Sequence, residues 1–133
     1  MLPIDINVFR LTLHILAATI WGGGMIVLGA LAGPLRRAAP EALAPAARVF
    51  ARLGWPAFAV LIATGIWNLV VGSQEGSAYQ STLMAKMGLV VLSGLGAGLH
   101  TFTKHPTLKG AWGAGALLGA LGAVLLGVAL AQA

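Results

Sequence analysis

Polar residues in this chain gather into three intervals that separate four long apolar stretches. The stretches run from about Val8 to Gly33, Leu53 to Val71, Ser81 to Phe102 and Ala111 to Ala131. Each is close to the ~20 residues that cross a bilayer core as a helix. Sustained strand-type alternation is absent, and a single apolar segment in lipid must satisfy its own backbone, which a helix does. The pattern predicts an all-α integral membrane protein with four transmembrane helices, about 8–33, 46–71, 80–102 and 110–131, in one domain over 1–133. The expected connections are Pro34–Pro45, Gly72–Gln80 and Thr103–Gly110. Links this short make an antiparallel four-helix bundle.

Composition agrees. Charged residues make up 8% of the chain and hydrophobic ones 59%, with a mean hydropathy of +0.92. Soluble domains use roughly 25% charged residues, so the solvent for this surface is the lipid bilayer. With no cysteine, disulfides and thiolate metal sites are excluded. The net charge of +5 is scattered, with no cluster interleaved with aromatics, so nucleic acid is not an expected partner. Its distribution instead orients the chain. Arg36, Arg37, Arg48 and Arg52 flank the first connection, Lys104 and Lys109 the third, and the second holds Glu75. The positive-inside rule puts the first and third connections in the cytoplasm and both termini outside, in a multi-pass protein of the cell membrane. Ala30-Leu31-Ala32 looks like a cleavage site, but the apolar run before it is long for a signal peptide. It also opens with Asp5 rather than a basic cluster, so the first helix is expected to be retained.

Glycine occurs 19 times. Gly29 and Gly33, and Gly115 and Gly119 with Gly122 nearby, form small-xxx-small pairs that let helices approach closely. Such pairs serve packing within a chain or between chains, which makes the glycine-rich fourth helix a candidate homodimer face.

Ionisable residues inside a membrane are costly and need a reason. Three qualify: His14, Lys86 and His100. Arg10, His14, Ala18, Trp21 and Met25 recur at helical spacing and form one stripe. Ala18 is the small member and gives His14 no hydroxyl one turn on. Lys86, Ser93 and His100 recur every seven residues on the third helix. Both stripes are expected to face the bundle interior. At 1.5 Å per residue, His14 and Lys86 each lie roughly 10 Å in from the outer side, and His100 about 30 Å in. A height difference of about 20 Å excludes His14 and His100 as the two axial ligands of one haem. Met25, Met84 and Met87 offer thioethers which, with the His14 imidazole, suit Cu(I) in an apolar site. Each residue also has a structural reading: His14 bonded to a hydroxyl or carbonyl of another helix, Lys86 snorkelling, His100 interfacial, Trp21 core and the methionines filler. There is no nucleophile–base pair, phosphate-cradling loop or carboxylate pair. Asp5, Glu41 and Glu75 all fall outside the expected membrane core.

The run Leu13-His14-Ile15-Leu16-Ala17-Ala18-Thr19-Ile20-Trp21-Gly22-Gly23-Gly24 resembles the first-helix motif of the copper-resistance protein D (CopD) family. Arg52-Leu53-Gly54-Trp55-Pro56-Ala57-Phe58 running to Thr64-Gly65-Ile66-Trp67-Asn68-Leu69 is similar to its second helix. Lys86 in Met84-Ala85-Lys86-Met87-Gly88-Leu89-Val90 matches its helix-three lysine. The resemblance implies copper handling at the membrane, with this chain a free-standing version of a domain that larger members extend with more helices. A more distant likeness is to HemJ-type protoporphyrinogen oxidases, which share a helix-one histidine and a helix-three lysine and bind haem b. Their Tyr-Leu-Pro-Arg stretch is replaced here by Leu28-Gly29-Ala30-Leu31-Ala32-Gly33-Pro34-Leu35-Arg36. Three readings follow. The first is copper at His14 with Met25, Met84 or Met87, and Lys86 as a gating charge. The second is haem b, with His14 as axial ligand, Lys86 or arginines pairing the propionates, and His100 and Trp21 as further cofactor-binding candidates. The third is an accessory subunit whose polar residues only pack.

Overall fold

A computed structural model describes residues 1–133. It contains four long helices and no strand: α1 (Ile6–Ala38), α2 (Pro40–Val71), α3 (Ser77–Phe102) and α4 (Pro106–Ala131). A short 3₁₀ turn, Gly72–Gln74, follows α2. All four helices are long and apolar enough to cross a membrane. Their outward side chains, such as Leu118 and Leu125 at 67% and 69% exposure, have lipid as their natural contact. The protein is a multi-pass membrane protein.

The helices extend beyond the apolar stretches. The expected connection Pro34–Pro45 is almost entirely helical, because α1 ends at Ala38 and α2 begins at Pro40, leaving Ala39 between them. Three properties explain this. Pro40 occupies the first helical position, where its missing N–H costs nothing. The segment is rich in alanine, the strongest helix former, which carries the chain past Pro34 and Pro45. Arg36 and Arg37 lie in the last turn of α1 and Glu41 in the first turn of α2, each favourable to its helix dipole. At the other end of α1, the Asp5 carboxylate accepts the Val8 N–H at 2.9 Å. That bond holds the Asp5 carboxyl below its ordinary range.

The chain divides into two compact units, Met1–Thr64 and Gly65–Ala133. In the first, α1 contains a π-helical turn at Thr19–Gly23. Its causes are local: the Thr19 hydroxyl donates to the Ile15 carbonyl at 2.8 Å, and Gly22-Gly23-Gly24 holds a helix only weakly. Within that turn Trp21, 3% exposed, packs against Phe58, Trp55 and Phe50, with ring centroids 4.6, 5.2 and 6.1 Å away. Phe50 in turn covers the backbone of Gly24 and Gly54, where a Cβ at Gly24 would meet its ring at 2.5 Å.

In the second unit the core is a seam of small residues between α3 and α4. A Cβ at Gly96 would stand 2.8 Å from the Trp112 carbonyl oxygen, and one at Gly119 2.8 Å from that of Leu89. Ser93, 1% exposed, donates its hydroxyl to the Ala116 carbonyl at 2.7 Å. Ala116, Ala120 and Ala123 complete the buried face. Contact positions ascend along α4 as they descend along α3. In lipid such helices cohere by close backbone packing and the occasional interhelical hydrogen bond, both present here. The turn after α2 is fastened by the Gln80 side-chain amide, which donates to the Gly72 carbonyl, and by the Tyr79 ring lying over Gly72.

The glycines of α4 are therefore largely used inside the chain. Gly119 and Gly122 pack on Leu89 and Ser93, whereas Gly115 has open space beside it. On α1, Gly29 is likewise open and Gly33 meets only the Arg37 side chain.

Candidate functional site

Two members of the first-unit stripe are buried. Arg10 is 7% exposed and Trp21 3%, with Ala17 buried between them, while His14, Ala18 and Met25 are half-buried. His14 is tied to α2, because its Nδ1 lies 2.6 Å from the Thr64 hydroxyl oxygen. Thr64 is itself buried, at 4% exposure, and its hydroxyl faces the carbonyls of Val60 at 2.7 Å and Leu61 at 3.2 Å. Sequence reading did not single out Thr64. It anticipated a hydroxyl or carbonyl partner for His14, but the pairing of α1 with α2 decides which. The only trace was that Thr64 falls within the quoted second-helix stretch.

Trp21 belongs to the aromatic cluster, so its core role is the one observed. Met25 lies eleven residues beyond His14 on the same helix, a rise of about 16 Å, which is too far for both to ligate one ion. The surface between α1 and α2 forms an open groove of about 260 Å³. Its walls include Leu13, Leu16 and Ile20 on one side and Leu53, Pro56 and Val60 on the other. It is apolar throughout and provides no donor for a metal.

On α3, the Lys86 side chain runs along α4, with its Nζ 2.9 Å from where a Cβ at Gly127 would be. Gly127 belongs to the final turns of α4, where carbonyls without intrahelical partners and the negative end of the helix dipole favour a cation. The Met87 sulfur lies over Gly65, 3.1 Å from a Cβ built there, whereas Met84 is 60% exposed and faces outward. His100 closes the hairpin between α3 and α4. Its Nδ1–H donates to the Lys109 carbonyl at 2.7 Å, and Gly113 makes room for the ring. Since a carbonyl can only accept, that nitrogen carries a proton. His105, just before α4, is exposed.

No three side chains among histidine, cysteine, aspartate and glutamate come together as a metal-binding group. Asp5, Glu41 and Glu75 are all exposed. The geometry thus offers one hydroxyl-oriented imidazole in the first unit. In the second it offers one lysine set in a helix seam and one inward thioether.

Residues 44–132, more than half of the chain, match the family model described as Copper resistance protein D. The match takes in the second-helix stretch and Lys86, while His14 lies before it. No curated protein and no solved structure matches.

Proposed function

Because the chain belongs to the copper resistance protein D family, we propose that it binds copper as cargo inside the membrane and that His14 is the residue that contacts it. The observation that carries this reading is the 2.6 Å bond from His14 Nδ1 to Thr64. A metal-ligating histidine characteristically has one ring nitrogen engaged by an oriented partner while the other meets the metal. Imidazole and thioether donors suit Cu(I), so an imidazole held in an apolar stretch is a fitting contact for that ion. Lys86 serves in this proposal to hold the end of α4, where its charge meets the negative end of the helix dipole.

The test is direct. Protein purified in detergent and equilibrated with Cu(I) should retain the metal against a chromophoric chelator. Failure to retain any copper would sink the reading. A Soret band in the as-purified spectrum would instead favour the haem reading.

We also propose the topology set by the basic residues: an antiparallel four-helix bundle with both termini outside. The absence of cysteine makes this testable with single introduced thiols. A cysteine replacing Lys104 should react only with reagents on the cytoplasmic side, and one replacing Gln132 only with reagents on the outer side. Labelling of both from one face would overturn the topology.

A further inference from the structure

The hydrogen-bond geometry around Thr64 fixes which way its hydroxyl proton points and which group His14 Nδ1 meets. The Thr64 oxygen has a single hydrogen and three neighbours within bonding distance: the Val60 carbonyl at 2.7 Å, the Leu61 carbonyl at 3.2 Å and His14 Nδ1 at 2.6 Å. The two carbonyls can only accept. Were the hydroxyl to donate to His14, the Val60 oxygen would face the Thr64 oxygen at 2.7 Å with no proton between them. The hydroxyl therefore donates to the helix carbonyls, as a threonine within a helix commonly does, and its oxygen accepts the Nδ1–H of His14.

We infer that Thr64 is a positioning residue that fixes His14 as the Nδ1–H tautomer, so that Nε2 is the nitrogen with the lone pair. Thr64 touches no cargo itself. It acts through the imidazole, in the way that outer partners of metal-bound histidines set tautomer and ring orientation. The assignment of Nε2 as the donor atom for Cu(I) rests on the copper reading above, whereas the tautomer does not.

Two readouts separate these claims. With ¹⁵N-histidine label and the protein in lipid nanodiscs, neutral His14 should show a protonated Nδ1 and an unprotonated Nε2, the signal being identified by its loss in His14→Ala. Thr64→Val, which keeps the shape and removes the acceptor, should redistribute the proton between the two nitrogens, and Thr64→Ser should restore the original pattern. Cu(I) affinity should fall about 10- to 100-fold in Thr64→Val and recover in Thr64→Ser. A wild-type imidazole protonated at Nε2 overturns the inference, as does a Thr64→Val spectrum identical to wild type. The wild-type spectrum alone decides if the valine variant does not fold. If the tautomer behaves as expected but the wild type holds no Cu(I), the inference stands and the copper reading falls.

Discussion

Replacing Gly119 with valine is expected to force α3 and α4 apart and to lower the stability of the folded protein markedly. A Cβ at this position would lie 2.8 Å from the Leu89 carbonyl oxygen, 3.1 Å from the Ser93 nitrogen and 3.3 Å from the Ser93 Cα. These are backbone atoms of a hydrogen-bonded helix, and no rotamer change moves them aside. The helices would have to part, stretching the 2.7 Å bond from Ser93 to Ala116 and opening the contacts of Ala116, Ala120 and Ala123. Overpacking in a tight core typically costs about 1–3 kcal/mol, and the cost lies at the upper end where only backbone could yield. Lipid supplies no compensating hydrophobic drive to hold the pair together. Size-exclusion profiles in mild detergent and unfolding midpoints in a denaturing one would measure the loss. Gly115→Val is the control, since nothing lies within 4 Å of that position. Equal stability of the two variants would refute this account of the seam.

His14→Ala should reduce Cu(I) affinity by more than about 100-fold, beyond the range for losing an outer partner, because it removes the donor itself. His100→Ala should leave that affinity near wild type. The difference lies in what each ring does. His100 ties the end of α3 to the start of α4 through the Lys109 carbonyl, so its loss costs a hairpin bond of about 1 kcal/mol. His14 is oriented by a side chain inside an apolar stretch, the setting in which an imidazole needs a reason to be there. Competition with a chromophoric Cu(I) chelator measures both variants. A His14→Ala protein with unchanged affinity would remove His14 from the site, and an equal loss in His100→Ala would point to a copper site of different make-up.

Much of the fold was legible because lipid imposes a simple rule on sequence. Each apolar stretch of about twenty residues had to be a helix, and four are present. Where the helices end was harder to read. Pro34 and Pro45 look like loop residues, yet alanine propensity and a proline at the first helical position let helix continue to within one residue on either side of Ala39. The π-helical turn was equally hidden. It depends on a threonine bonding backward and on a tryptophan drawn into an aromatic cluster, and only the glycine run at its end was visible beforehand.

For the candidate site, spacing identified His14, Lys86 and His100 but not their partners. His14 meets Thr64, fifty positions away, and Lys86 meets Gly127. His100 meets a backbone carbonyl, which no side-chain pattern encodes. The glycine pairs were similarly ambiguous, because a small residue permits close approach without stating to what. Gly119 and Gly122 are used against α3, and Gly29 and Gly115 are not used within the chain at all.

By itself the sequence determined the solvent, the number of helices and the three ionisable residues within long apolar stretches. All of these follow from the cost of placing polar groups and unsatisfied backbone in hydrocarbon, which acts on each segment locally. Only the tertiary structure decided which atom each of those side chains meets. A hydrogen bond of 2.6 Å between residues on different helices depends on how the two helices pack, and that is a property of the pair rather than of either sequence segment.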